Sequence, residues 1–312
     1  MCSREQAWYS CDILHEDLTV PHPDAEQEYA RGCALDEAGD DDAALACFER
    51  AHALDPSWFA PPFALGVMCK WLLRFEDCLR WSELAGTIDP THDGAEWNAG
   101  IAATALGLHR RARRAWKRFI PTVDESDEPL EMDFGLVPIR LDPRGAGEVV
   151  WARRVNPAIA ILVSIPFDES GFGHGDRVLH DGEPRGHRML RGQQVPVFDA
   201  LTCLEPSPYS TYLATLPSPT DETMALLRRL AEERRVPLED WTTNVRFLCR
   251  ACSLGEPHET HDHDGAPPDG ERLVALAAET DDPIAELLDT FTTELGLPEL
   301  EVEVRLDRRV EA

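Results

Sequence analysis

Residues Ala25 to Trp58 read AEQEYARGCALDEAGDDDAALACFERAHALDPSW, and this stretch decides the fold of the first third of the chain. Gly32 within it is followed by Gly66 and Gly100 at intervals of 34 residues, and Pro56/Pro90 and Ala51/Ala85 keep the same interval. A period of that length describes one supersecondary unit stacking on copies of itself. Small residues let the two helices of a unit approach closely, and an aromatic such as Phe48 or Trp116 fills the groove between them. The proline ends the second helix because it cannot continue the hydrogen-bond ladder. The pattern predicts three antiparallel helix pairs between Ala25 and Phe119, about the minimum that buries a continuous core.

At these positions the chain resembles the tetratricopeptide-repeat family. In the first unit Gly32, Leu35, Ala44, Phe48, Ala51 and Pro56 fall at the family's signature positions. The second keeps Leu65, Gly66, Ala85 and Pro90 but carries Cys78 and Ser82 where small and aromatic residues are usual. The third keeps Gly100, Ala103, Ala112 and Trp116. The resemblance implies a concave groove, lined by the first helix of each unit, that holds peptides. Mapped onto this chain, the lining is Tyr29, Phe63, Val67, Lys70, Trp71, Trp97 and Ile101. Aromatic side chains on such a face supply contact area at little entropic cost. The competing reading is that they pack against another part of the same chain. Residues 1–24, with Trp8, Tyr9, Ile13 and Leu14, read as an N-terminal capping segment, and the helical domain spans 25–121.

The 312 residues include 58 acidic and 30 basic side chains, a net charge of −28. That field repels nucleic acid and anionic membrane surfaces, so neither is an expected partner. It favours solubility and a basic protein or peptide. No apolar run approaches the ~20 residues of a membrane span, and the first residues lack the basic start and apolar stretch of a signal peptide. The expectation is a cytoplasmic protein, and its arginine and alanine bias suggests a bacterial source. Cys33, Cys47, Cys69 and Cys78 lie in helical apolar patterns and read as small buried hydrophobes. Arg110, Arg111, Arg113, Arg114, Lys117 and Arg118 form a basic cluster, expected to pair with the acidic run Asp124, Glu125, Asp127 and Glu128. That run marks a linker over 122–133.

From residue 134 to 206 the period shortens, and the segment reads as a small antiparallel β-barrel domain. Glu148–Val155 and Ile159–Ile165 are β-rich runs separated by Asn156-Pro157. Shorter runs follow at Asp176–His180, His187–Leu190 and Val195–Leu204, with turn signals at Asp181-Gly182 and Pro184–Gly186. This part also resembles an uncharacterised family of small bacterial domains that carries no assigned activity. Gly171, Gly173 and Gly175 precede a strand rather than a helix, so they read as a turn needing positive φ and not as a phosphate cradle. His174, His180 and His187 read as surface residues.

Residues 207–312 read in the order β-α-β-β-α-β of a ferredoxin-like domain, with strands at Tyr209–Leu216, Asn244–Cys249, Arg272–Ala278 and Leu300–Leu306. The last alternates as a half-buried strand. The helices are Asp221–Arg235 and Pro283–Leu295. The connection between the middle strands carries Cys249, Cys252, His258, His261 and His263. Two cysteines at that spacing chelate one ion from a tight knuckle, and two later imidazoles complete a tetrahedron. The ligand set is Cys249, Cys252, His258 and either His261 or His263, and mixed sulfur and imidazole donors suit one structural zinc per chain.

The fold class is therefore α+β multidomain: a tetratricopeptide array, a small barrel, and a ferredoxin-like domain with a zinc-binding hairpin. The function that follows is a non-enzymatic protein-binding module, of an immunity or adaptor type. Two alternatives keep the metal central: a zinc-dependent enzyme with its site at the Cys/His hairpin, and a metal-responsive regulatory protein.

Overall fold

Six helices occupy the repeat region: α1 (Pro23–Ala38), α2 (Asp41–Leu54), α3 (Ala60–Trp71), α4 (Phe75–Ile88), α5 (Asp93–Ala105) and α6 (His109–Phe119). They form three consecutive pairs, the tetratricopeptide-type array that the resemblance implies. The computed structural model describes residues 20–143, 147–242 and 270–309. Pro56 and Pro90 fall in the breaks between pairs, before α3 and α5. The side chains of His22, Asp40 and His92 accept from the amides of Asp24, Ala43 and Ala95, capping α1, α2 and α5, which satisfies amides that lack an intrahelical partner.

The 34-residue glycines owe their identity to close approach. A Cβ on Gly32 would sit 2.7 Å from Phe48, and one on Gly100 would sit 2.6 Å from Trp116. Gly66 faces Ser82 in the same way, with the serine Oγ 2.6 Å from the added carbon. In every unit the partner stands sixteen residues later. Phe48 and Trp116 are completely buried. A second feature shares the period: Gly39, Leu73 and Gly107 have φ of +83°, +58° and +65°. The turn between the two helices of each pair needs a left-handed residue, and the middle unit meets that need with a leucine, at a steric cost.

The chain divides into two compact units, the first ending at Leu130 and the second beginning at Glu131. In the second, β1 (Leu136–Arg140), β2 (Val149–Arg154), β3 (Ile159–Leu162), β4 (Arg177–Leu190) and β5 (Gln193–Glu205) form a closed barrel in chain order. Neighbours are antiparallel except where β1 pairs parallel with β5 to close it. Val137, Ile139, Val150, Leu162, Val178 and Phe198 are among the residues that fill its core.

One expectation here is corrected. Asp181-Gly182 and Pro184–Gly186 are not turns between strands. They lie inside one long strand, β4, and mark irregularities where its register against β5 shifts, between Leu179 and His180, His180 and Pro184, and Pro184 and His187. A bulge inserts extra residues and bends the strand without ending it. The true turn is Arg191-Gly192, with φ of +50° and +81° between the paired Leu190 and Gln193, a two-residue connection suited to strand twist. Gly171 and Gly175 have positive φ as expected, whereas Gly173 is held by close approach to Leu306.

The rest of this unit runs β6 (Ser210–Pro217), α7 (Asp221–Arg234), β7 (Leu238–Asp240), β8 (Glu271–Ala278), α8 (Asp282–Leu295) and β9 (Val302–Leu306). The sheet order is β7-β8-β6-β9, all neighbours antiparallel. Met224, Leu227, Leu230, Ile284, Leu287 and Phe291 of the helices bury one face, against Tyr212, Ala214, Leu216, Val274 and Leu276. On the other face Ala275 and Ala277 meet Ile165 and Trp241, and the Trp241 indole N–H donates to the Ile165 carbonyl at 3.0 Å. The strand expected at Asn244–Cys249 lies outside the described residues; the described one is β7, unread in the sequence. The expected half-burial of the last strand is also corrected. Val302 and Val304 are 36 % and 44 % exposed, because among the described residues β9 lies at a sheet edge and pairs with β6 alone.

Candidate functional site

The first helices of the pairs, α1, α3 and α5, carry the expected groove residues. The structure divides these residues among several tasks. Val67 and Ile101 are buried, at 5 % and 0 % exposure. Tyr29 sits in the seam between the first two pairs, its ring 5.2 Å from Phe48 and 4.9 Å from Trp58. Phe63 stacks on Phe59 at 5.2 Å and meets the edge of His92 at 4.6 Å, tying α3 to the start of α5. Trp97 packs within its own pair, 5.1 Å from Trp116 and 4.7 Å from Phe119. The aromatics that the period places on the inner helices thus lock neighbouring helices together.

The polar centre of this face is a pair. The Lys70 ammonium donates to Asn98 Oδ1 at 2.9 Å, joining α3 to α5, and Lys70 also lies 6.0 Å from the Trp71 ring. Lys70 and Asn98 are only 3 % and 4 % exposed. An ammonium taken out of water needs hydrogen-bond partners, and the carboxamide is one. Lys70 was read in the sequence, but Asn98, Phe59 and His92 were not. The available signal was Lys70 itself, one of two lysines against 28 arginines.

Two of the inner helices carry unbroken runs of buried residues, Asn98 through Ala103 in α5 being one. In α3, Ala64 through Lys70 are buried without interruption. At about 3.6 residues per turn, seven consecutive buried residues cover every side of a helix.

Most of the basic cluster on α6 is paired within the first unit, Arg111 lying 3.7 Å from Glu83. Arg110 makes a bidentate pair with Asp127 at 2.6 and 2.8 Å, Arg113 pairs with Asp124, and Lys117 reaches Glu125 at 3.3 Å. Arg118 bonds Asp93 and the carbonyls of Pro90 and Thr91. Of the helical cysteines, Cys47, Cys69 and Cys78 are buried and Cys33 is half-buried, and burial pushes the Cys69 thiol up to about 11.

A second polar group lies in the barrel. His180, expected at the surface, is completely buried, because the irregular register of β4 turns it inward. Its ring stacks 5.1 Å from Phe198, and Nδ1 donates to the Asp181 carbonyl at 2.7 Å. Burial, and after it the nearby Arg154 charge, pushes its pKa down to about 3. Arg154 lies 5.1 Å from the rings of both Phe134 and Phe198, and burial pulls its pKa down to about 10. Nearby, Arg140 grips Asp199 with two bonds of 2.6 and 2.8 Å, both side chains largely buried.

The expected zinc ligands Cys249, Cys252, His258, His261 and His263 lie outside the described residues. Among the described residues no group of three or more His, Cys, Asp or Glu side chains could hold a metal ion. No helix among them is long and apolar enough to cross a membrane.

No protein-family model matches the chain, and the search of curated proteins gives no match. Solved structures are similar over about a third of the chain. The second TPR region of Spaghetti (RPAP3), bound to the HSP90 peptide SRMEEVD, is 20 % identical, with a TM-score of 0.30, covering 33 % of this chain and 94 % of that one. MamA is 24 % identical, with a TM-score of 0.30, over 31 % of this chain and 57 % of its own. The Sgt2 TPR domain from Aspergillus fumigatus is 16 % identical, with a TM-score of 0.30, over 35 % and 74 %.

Proposed function

We propose that this protein is a non-enzymatic module that binds a protein or peptide segment along the inner side of α1, α3 and α5. The observation that carries the reading is the three-pair array itself, whose inner helices α1, α3 and α5 are held in place by aromatic contacts and by the buried Lys70–Asn98 bond. The net charge of −28 adds long-range attraction for a partner with a basic surface. An adaptor or immunity role in the cytoplasm of a bacterium suits such a protein. Selection of peptides from a random library on the full chain tests the reading. A selected peptide should bind Trp71→Ala at least about 10-fold more weakly than the parent, the scale of losing one aromatic anchor. Unchanged affinity in a folded variant would remove the inner face from the account.

The second unit supports two finer readings. Its order β6-α7-β7-β8-α8-β9, with β8 inserted between β6 and β7, fits a ferredoxin-like fold beside a small barrel. One structural zinc held by Cys249, Cys252, His258 and one of His261 or His263 rests on ligand spacing alone. The test is metal analysis of protein purified without chelator or histidine tag: about one zinc per chain supports it, and none refutes it.

A further inference from the structure

We propose that one end of the barrel is a binding site for a small hydroxycarboxylate, with Arg154 holding the carboxylate and His180 holding the hydroxyl.

Both side chains face the barrel interior. Val150 and Ala152 of β2 lie in the barrel core, and the two-residue period of a strand carries Arg154 into the same inward row. His180 of β4 is completely buried. Its ring stands 5.1 Å from that of Phe198, a core residue of β5, and the Arg154 guanidinium stands 5.1 Å from the same ring. The residues paired with them are small, Ala160 beside Arg154 and Ala200 beside His180. Arg154 and Phe134 are half-buried, so this end of the barrel reaches solvent through them.

The hydrogen bonds there define the ligand. Other buried arginines of this unit face a buried carboxylate: Arg140 grips Asp199, and Arg308 meets Asp176 at 3.1 Å. Among the described residues the Arg154 guanidinium has one hydrogen bond, to the Pro157 carbonyl at 2.6 Å. The rings of Phe134 and Phe198 flank it. Its Nε–H is buried without a partner among the described residues, and so is His180 Nε2. Because Nδ1 of His180 donates to the Asp181 carbonyl, Nε2 of the neutral ring is an acceptor. A buried donor on a cation and a buried acceptor each cost free energy until they are matched. A carboxylate oxygen accepts from Arg154 Nε–H in a charge-assisted bond, and a hydroxyl on the same molecule donates to His180 Nε2. A plain carboxylate meets only the first need, since it engages Nε2 only by placing a proton on a ring that burial keeps neutral.

The test follows the ring nitrogens of His180 by NMR in the full chain carrying isotope-labelled histidine. The signal is assigned as the ring that stays neutral to the lowest pH, its pKa being about 3. Glycolate, which carries both groups, is the probe, and acetate, which lacks the hydroxyl, is the comparison. Glycolate should move the Nε2 signal and bind about 10-fold more tightly than acetate, the scale of one buried hydrogen bond. Arg154→Met should weaken both acids at least about 10-fold. His180→Phe should bind the two equally, because the hydroxyl then lacks its acceptor. A His180 signal unmoved by either acid at tens of millimolar would mean that water alone meets these atoms, and would overturn the proposal. Equal affinity of the parent for glycolate and acetate would overturn it too, as would undiminished glycolate binding by Arg154→Met. The parent measurements need no variant, so they decide the matter even where a substitution unfolds the barrel.

Discussion

The helical array and the barrel handle irregular sequence in opposite ways. In the array each departure is absorbed locally, because the 34-residue geometry is repeated and each unit contacts its neighbours alone. Ser82 replaces the aromatic of the other units, yet Gly66 still makes room for it. Leu73 replaces glycine at the turn and accepts a φ of +58°. In the barrel a departure is propagated: the irregularities along β4 reset the register against β5 and turn His180 inward beside Arg154 and Phe198. A one-dimensional stack tolerates a misfit in place, while a closed sheet passes it along the strand.

Core substitutions give the largest expected effects and set the scale for the two regions. Trp116→Ala should cost about 3–5 kcal/mol by leaving a cavity against Gly100 and Trp97, read as loss of helical signal at lower denaturant. Asp199→Ala in the barrel should cost about 3–5 kcal/mol because it strands Arg140 in a site sized for an ion pair. If Trp116→Ala unfolds the barrel and Asp199→Ala unfolds the array, the contrast between local and propagated response fails.

Acid should separate the regions next. His180 is neutral in the folded barrel, its pKa about 3 against an ordinary value of 6.5. The unfolded chain therefore binds the extra proton first. The barrel keeps full stability above pH 6.5 and loses it as pH falls from 6.5 toward 3, by up to about 1.4 kcal/mol per pH unit. His180→Phe should flatten that part of the pH–stability curve. A curve of unchanged slope in the variant would show that another group controls acid sensitivity.

How far these features could be read in advance follows the same divide. The array was legible because its period is a packing constraint: Gly32 with Phe48 and Gly100 with Trp116 are contacts at a fixed sixteen-residue offset. The turns of β4 were misread because Asp181-Gly182 and Pro184–Gly186 have turn composition, and only pairing with β5 shows them as bulges. The real turn, Arg191-Gly192, carries weaker composition. Alternation in Val302 and Val304 correctly marked a strand but not its burial, which depends on whether a neighbouring layer covers a sheet edge. In the candidate site, the tetratricopeptide resemblance pointed to Lys70, whereas Asn98 was missed because its partner is a helix away.

Smaller effects sharpen the comparison inside the array. Gly100→Ala should destabilise by about 1–3 kcal/mol through overpacking against the Trp116 ring. Gly66→Ala should cost less, since its one close contact is the Ser82 hydroxyl, the Ser82 backbone standing 3.4 Å or more away. Equal costs would show that the ring contacts do not set the spacing. Smallest and of opposite sign, Leu73→Gly should stabilise by about 0.5–1 kcal/mol by relieving the left-handed leucine, checked by denaturant midpoint. A loss of stability would mean that the leucine side chain contributes more than its backbone costs.

The most direct test of the account is amide hydrogen exchange of the full chain with and without a saturating library-selected peptide. The account predicts that protection changes concentrate in α1, α3 and α5, with β1–β9 unchanged. Changes confined to the sheet edges β7 and β9, with the array unaltered, would contradict it.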